Sequence, residues 1–211
     1  MLKLQDLSVK LSRKSRPLFS IDSVHEPGTL TWIRGASGSG KSTLLRVISG
    51  LQKPSSGTVD LFGNDLWNSS AQSRDKFRAK SMGIVFQDSG VVPCLTIDEN
   101  LSFAQGLSGD DVTSDDNLSL LAQLGMSEYR GALPHELSGG QRQRAAIATA
   151  LSKMPQLILA DEPTSALDEE NAYSVLRYLH SYVKENRAIA LVVSHDDRLA
   201  QFADRVLEIG G

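Results

Sequence analysis

Gly35-Ala36-Ser37-Gly38-Ser39-Gly40-Lys41-Ser42 is the segment that settles what kind of molecule this chain is. It follows a short β-branched and aromatic run, residues 29–33, and precedes a helical pattern that sets Leu44, Leu45, Val47 and Ile48 before the stop at Gly50. Strand, glycine-rich turn and helix in that order match the P-loop pattern. Each residue type answers a need of bound phosphate. The glycines let the backbone curl so that several N–H groups point inward at an anion. The helix that follows adds its positive N-terminal end. Lys41 carries a mobile charge to the β- and γ-phosphates, and the Ser42 hydroxyl is placed to ligate Mg²⁺. The expected nucleotide contacts run from Gly35, Ala36, Ser37, Gly38, Ser39 and Gly40 through Lys41, Ser42 and Thr43. A glycine-rich turn with no ligand is the alternative, and the strand before it and helix after it argue against that. The pattern alone leaves kinases, GTPases and many ATPases open.

Before this unit, residues 2–11 and 18–21 read as two strands of an antiparallel edge, split by a basic turn at 12–17. After it, strands are expected at 58–62, 83–86, 157–160, 188–193 and 205–209. Leu157-Ile158-Leu159-Ala160 is apolar throughout, as strands covered on both faces are in parallel sheets. Between 87 and 137 the pattern turns helical. Thr96-Ile97-Asp98-Glu99 has capping-box spacing and opens a helix through Gln105, and 117–124 is amphipathic and closes at Gly125. Helices at 140–152 and 170–185 then alternate with strands again. The expected fold is α/β: a P-loop NTPase with a mostly parallel core sheet, an N-terminal antiparallel β subdomain and an α-helical insertion. As a single domain, its core spans 1–86 and 155–211 and the helical part about 88–152.

Composition narrows the function. The chain has 211 residues, with 22 basic and 25 acidic side chains and a formal charge of −3, so no basic excess marks a nucleic-acid binder. Its single cysteine, Cys94, excludes an internal disulfide, fits a reducing compartment and reads as a small hydrophobe beside Pro93 and Leu95. No run approaches the ~18 apolar residues of a membrane span. The opening residues read as a strand and not a signal peptide. A soluble protein is expected, with any membrane role exercised through a partner.

Asp161-Glu162 closes the apolar run at 157–160. A carboxylate at the end of a buried strand is costly unless it meets a cation, which makes Asp161 a Mg²⁺ ligand. Glu162, one residue on, can point to the other side and polarise a water aimed at the γ-phosphate. Two acids capping the turn before Pro163 is the plainer reading, and the upstream phosphate cradle outweighs it.

Leu137-Ser138-Gly139-Gly140-Gln141 is the most specific element. Ser138 can cap the following helix while Gly139 and Gly140 expose N–H groups at its N-terminus, a second anion site in a chain that already has one. These five residues resemble, letter for letter, the signature of ABC ATPases, in which the signature of one subunit closes on the γ-phosphate held by the other. The resemblance covers nearly the whole chain and implies further roles. Gln87 resembles the glutamine that contacts Mg²⁺ and the lytic water and senses the transport partner. Ser165-Ala166-Leu167-Asp168 resembles the loop that crosses the dimer interface, and His195 the switch histidine on the γ-phosphate. By the same resemblance the catalytic set is Glu162, His195, Lys41 and Gln87, and the Mg²⁺ set is Ser42, Gln87 and Asp161. Ser138, Gly139, Gly140, Gln141 and Asp168 reach the nucleotide of a second copy.

One departure stands out. Where that family usually stacks an aromatic on adenine, this chain reads Val9-Lys10-Leu11-Ser12-Arg13, leaving Leu11 or the Arg13 guanidinium as candidate surfaces. Residues 78–87, 159–164 and 194–196, with Ala203-Asp204-Arg205, resemble the lipoprotein-release and macrolide-export branch, and Ala160 stands where many importers have Leu or Met. The resemblance implies ATP and Mg²⁺ as cofactors, a second copy and an integral membrane permease as partners, and a place on the cytoplasmic face of the membrane. Val91, Val92 and Leu95 are where a permease helix would dock, or else core of the helical insertion. An importer subunit and an ATPase controlling a membrane-bound cell-wall regulator are the alternatives within the family. A small P-loop kinase would need an arginine-rich lid and an acceptor site, and the signature segment and Asp161-Glu162 argue against it; the tandem or coiled-coil-split cassettes of DNA repair and translation do not resemble a single 211-residue cassette.

Overall fold

The computed structural model describes residues 1–10, 16–86, 90–109 and 114–210. In chain order the strands are β1 (Leu2–Lys10), β2 (Pro17–His25), β3 (Thr29–Arg34), β4 (Ser56–Leu61), β5 (Asn64–Asp65), β6 (Met82–Val85), β7 (Leu157–Asp161), β8 (Ile189–Val193) and β9 (Arg205–Glu208). The helices are α1 (Lys41–Ile48), α2 (Ala71–Ser81), α3 (Ile97–Ser108), α4 (Ser114–Gln123), α5 (Gly139–Leu151) and α6 (Glu169–Glu185). Two sheets result, one antiparallel in the order β2-β1-β4-β5 and one parallel in the order β6-β7-β8-β3-β9. The expected P-loop α/β architecture is therefore present, with the helical stretch inserted between β6 and β7.

Side-chain alternation explains why the parallel sheet lies at the centre. Every residue of β7 and β8 is buried. On one face Leu30, Trp32, Ile158, Ala160, Ala190 and Val192 join residues of α3, α5 and α6 in one core. On the other, Ile33, Leu157, Leu159, Ile189, Leu191 and Val193 join α1 and the antiparallel sheet in a second. Successive residues of a strand point to opposite faces, so a continuous apolar run serves two cores at once.

Local signals place most helix ends. Thr96 accepts from the Glu99 N–H while the Glu99 carboxylate accepts from the Thr96 N–H, the expected capping box. This helix passes Gln105 and Gly106 and ends at Ser108, before Gly109 in the left-handed region. Helix α2 carries no sequence signal, because its polar residues lack an apolar stripe and only Ser81 is buried. Its ends are held instead by Ser70, which accepts from the Ser73 N–H, and by the Lys153 ammonium, which donates to the Arg78 and Ala79 carbonyls. Strand β6 begins one residue earlier than expected and leaves Phe86 outside it. Cys94 is exposed, contrary to the small-hydrophobe reading. Among the described residues, no helix is long and apolar enough to cross a membrane.

The register of the parallel strands positions the site. Ile33 lies opposite Val193, and Val193 opposite Asp161. The chain segments that leave β3, β8 and β7 therefore emerge side by side at one sheet edge, the usual ligand edge of an open α/β sheet.

One buried titratable group joins the two sheets. His25, at the end of β2, is hydrogen-bonded through Nδ1 to the Thr31 hydroxyl of β3 at 2.9 Å and through Nε2 to the Ser23 hydroxyl at 3.0 Å. Burial, with Arg205 nearby, pushes its imidazole down from 6.5 to about 4. Between these two values the unfolded chain takes up a proton that the folded chain refuses, so stability falls as pH falls through that window. The expected outcome is a urea midpoint that declines between pH 6.5 and 4 in the wild type and declines less in His25→Gln. Equal slopes in the two proteins would remove His25 from this role.

Candidate functional site

The turn between β3 and α1 is built around close backbone approach. Gly35 sits at φ 154, and a Cβ there would lie 2.3 Å from the Ile209 carbonyl oxygen. No other residue fits without displacing the chain that follows β9. Gly38 and Gly40 take φ values of 79 and 98, and Gly40 is the N-cap of α1 without a side-chain cap. The N–H groups of the first helical turn thus remain for an anion. Lys41 is buried at 8% exposure, and its ammonium donates to the Gly35 and Ala36 carbonyls at 2.8 and 2.9 Å. Two of its three N–H donors hold the turn and the third is available to a ligand. Ser42 is exposed at the same turn.

A cavity of about 510 Å³ opens here, lined by Ser37, Gly38, Gly40, Lys41, Ser42 and Thr43 together with Leu18, Asp161, Glu162, Val193 and His195. The sequence-read phosphate turn, acidic pair and histidine thus converge in space. Asp161 is 7% exposed, and its carboxylate has no ion-pair or hydrogen-bond partner among the described residues. Glu162 adopts φ 52, a left-handed conformation that costs a non-glycine residue about 1–3 kcal/mol. The strain is offset by its N–H, which donates to the Val193 carbonyl at 2.8 Å, and by its carboxylate. The carboxylate accepts from the Ser194 hydroxyl at 3.0 Å and from the His195 N–H at 3.2 Å. The His195 Nε2 lies 3.8 Å from the same carboxylate, and its side chain is largely exposed.

The helix start expected as a second anion site stands apart. Ser138 caps α5, accepting from the Gln141 N–H at 3.3 Å while the Gln141 side chain accepts from the Ser138 N–H at 2.8 Å. Ser138, Gly139, Gly140 and Gln141 do not line the phosphate cavity. Asp168 does not line it either; it is the N-cap of α6, and the Asn171 backbone and side-chain N–H groups hold its carboxyl below the usual range. Gln87 lies outside the described residues, as do Leu11 and Arg13. Among the described residues, Leu18 and Val193 are the apolar side chains on the cavity.

Three side chains near the site, Thr164, Asp196 and Gln143, have no role assigned by the sequence motifs. Thr164 donates to the Asp196 carboxylate at 2.8 Å, and Arg198 donates to its other oxygen at 2.7 Å. Burial works to raise the Asp196 pKa, yet these hydrogen bonds hold it below the ordinary carboxylate range. Gln143, five residues into the signature segment's helix, reaches the chain that follows β7. Its Nε2 donates to the Glu162 carbonyl at 2.7 Å and its Oε1 accepts from the Ala166 N–H at 3.0 Å. Its two-residue offset from Gln141 gives no hint of this, because the partners lie about 20 residues away in sequence.

Comparison with known proteins agrees with this geometry. A family model described as ABC transporter matches residues 19–165. The ATP-binding protein HrtA of Staphylococcus haemolyticus, provisionally named for hemin import, is 40% identical over 86% of this chain and 83% of its own. An uncharacterized ABC transporter ATP-binding protein of Mycobacterium tuberculosis is 39% identical over 88% of this chain and 76% of its own. Among solved structures, the ATP-binding cassette MJ0796, in a dimeric post-hydrolysis state bound to ADP and Pi, superposes with a TM-score of 0.91. That match has 31% identity and covers 99% of this chain and 94% of that one.

Packing distinguishes the two signature glycines. A Cβ on Gly140 would lie 2.9 Å from the Ala166 carbonyl oxygen and 3.2 Å from a Leu167 methyl, whereas one on Gly139 would meet Ala166 at an ordinary 3.8 Å. Gly140→Ala is therefore expected to destabilise by about 1–3 kcal/mol through overpacking against backbone. Gly139→Ala is expected to leave the denaturant midpoint unchanged. A Gly140→Ala midpoint equal to wild type would show that the 166–167 turn yields freely.

Proposed function

We propose, from the premise that this chain belongs to the ABC transporter family and is an ATPase of it, that two copies sandwich two nucleotides head to tail and drive a separate membrane permease. The observation that carries the reading is the separation of the two anion sites. Lys41, Ser42, Asp161, Glu162 and His195 share one cavity, while the capped N-terminus of α5 at Ser138–Gln141 lies off it. A second phosphate-binding helix end that does not face its own chain's nucleotide can face that of a second copy. Twofold symmetry then makes the pairing reciprocal and gives two equal sites. MJ0796, the structural neighbour, is itself dimeric with ADP and Pi.

In this reading each site takes Lys41, Ser42, Gln87, Asp161, Glu162 and His195 from one chain and Ser138, Gly139, Gly140, Gln141 and Asp168 from its mate. The turn from Gly35 to Gly40 wraps the phosphates with main-chain N–H groups, and the third Lys41 N–H reaches the β- and γ-phosphates. Glu162 orients the attacking water and takes its proton, and His195 donates to the γ-phosphate. The donor set fits Mg²⁺: a buried Asp161 carboxylate with no partner among the described residues lines the same cavity as the Ser42 hydroxyl, and by the family resemblance Gln87 would be a third ligand. When bound, the ion neutralises charge on the β- and γ-phosphate oxygens. Nucleotide bridging the chains makes closure a ligand-biased equilibrium that hydrolysis releases.

The permease would seat at the Val85, Phe86, Val91, Pro93, Pro134 and His135 side of a cleft of about 590 Å³ whose other wall is Gly139, Arg142, Gln143, Ala146, Ser165 and Ala166, and the chain would then work at the cytoplasmic face of the membrane. Asn100 stiffens its rim, accepting from the Val92 N–H at 2.6 Å and donating to the Val92, Leu95 and Thr96 carbonyls. Ala160 and the segment around His195 favour the export or mechanotransmission branch. The hemin-import name of the staphylococcal relatives favours an importer, and cargo uptake against release in vesicles holding the permease separates the two.

Two variants test the sandwich. Glu162→Gln is expected to bind ATP, to lose at least about 100-fold in turnover, and to accumulate as an ATP-dependent dimer by light scattering. A variant that stays monomeric with ATP while hydrolysing normally removes Glu162 from its role. Ser138→Arg is expected to abolish turnover with nucleotide affinity unchanged. Loss of nucleotide binding would instead place Ser138 in its own chain's pocket.

A further inference from the structure

Gln143 is the only described residue of α5 whose side chain reaches both ends of the turn that carries Glu162. Its Nε2 donates to the Glu162 carbonyl at 2.7 Å and lies 3.3 Å from the Ser165 hydroxyl. The Ser165 hydroxyl in turn donates to the same carbonyl at 3.1 Å. On its other side Oε1 accepts the Ala166 N–H at 3.0 Å. One amide thus satisfies a donor and an acceptor of the main chain on either side of Ser165, a span that includes Pro163 and contains no regular helix or strand. The same helix presses its first turn, at Gly140, against the Ala166 carbonyl. Helix end and hydrolytic turn are joined at two points, one a steric contact and one a hydrogen-bonded bridge.

The chemistry of the joint matters because Glu162 is in a strained left-handed conformation, at φ 52. Its peptide is fixed from both directions: the N–H by the Val193 carbonyl and the C=O by Gln143 and Ser165. Removing the Gln143 donor frees one of these anchors and lets the Glu162 peptide rotate toward a relaxed conformation. The carboxylate, attached to that peptide, moves with it.

We propose that Gln143 is a positioning residue for hydrolysis. It holds the Glu162 main chain and the 165–168 turn in register with the helix whose N-terminus serves the mate's nucleotide. Helix α5 and the hydrolytic turn of one chain then travel as one body. This inference rests on the sandwich reading of the site. The bridge touches no substrate, and its effect passes wholly through the placement of Glu162 and Asp168.

The test compares Gln143→Met, which keeps length and volume but makes neither hydrogen bond, with Gln143→Glu, which keeps the acceptor for Ala166 and loses the donor to Glu162. Both are expected to lower kcat on the order of 10–100-fold, the penalty of a misplaced catalytic group. KM for ATP and the urea midpoint are expected to stay within about twofold and within error of wild type, which a stability role alone would not produce. In the Glu162→Gln background, Gln143→Met is expected to leave the ATP-dependent dimer intact. Wild-type kcat in both Gln143 variants overturns the proposal, and so does a kcat loss matched by loss of the folded midpoint in both. Should Gln143→Met fail to fold, Gln143→Glu alone decides by the same criteria. Failure of Glu162→Gln itself to dimerise with ATP overturns the sandwich reading and is recognised separately from any result at position 143.

Discussion

Alignment of Ile33, Val193 and Asp161 across three neighbouring parallel strands is the constraint on which the site depends. Hydrogen-bonded register fixes where each strand ends relative to the next, and a parallel sheet sends all its C-terminal ends to one edge. The phosphate turn after β3, the acidic pair after β7 and the histidine after β8 are far apart in sequence yet emerge as neighbours. Sliding β7 by one residue would exchange its faces, moving Leu157 and Leu159 out of one core and Ile158 and Ala160 out of the other. The apolar runs that make each strand two-sided are thus also what hold the proposed catalytic groups in line, and core packing and the geometry of the candidate site are a single specification.

The backbone strain at Glu162 falls on the phosphate cavity, where the proposed chemistry takes place. A left-handed glutamate persists only because the surroundings over-determine it, through β8 on its N–H, Ser194 and His195 on its carboxylate, and Gln143 on its carbonyl. These anchors come from α5, from the end of β8 and from the segment after it. Thr164 and Asp196 add a cross-link between the segments after β7 and β8. The turn that carries Glu162 is therefore held by elements that themselves belong to different sides of the molecule, and a displacement of either is felt at one carboxylate.

What the sequence disclosed follows from what is local. The phosphate turn, the capping box at Thr96 and the capped start of α5 are each written within about eight residues, and local hydrogen bonds suffice to form them. The apolar strands were equally readable, since period and burial are properties of a short window. Helix α2 was not, because nothing about its polar residues distinguishes a helix held by Ser70 and Lys153 from a loop. Gln143, Thr164 and Asp196 were not, because their meaning lies in partners about 20 to 30 residues away. The two signature glycines looked alike and differ: Gly139 has room, whereas Gly140 is required by the Ala166 carbonyl pressed against it.

That last distinction bears on how two anion sites can coexist in one chain without competing. A helix N-terminus attracts phosphate over a single turn's distance, and screening at physiological salt confines the attraction to about 8 Å. The start of α1 lies on the cavity with Lys41 and Asp161, while the start of α5 is backed by the 166–167 turn and does not line it. The packing that denies Gly140 a side chain also fixes the direction in which the first N–H groups of α5 can point. In the proposed sandwich, a second copy's nucleotide is the partner for which that direction is useful.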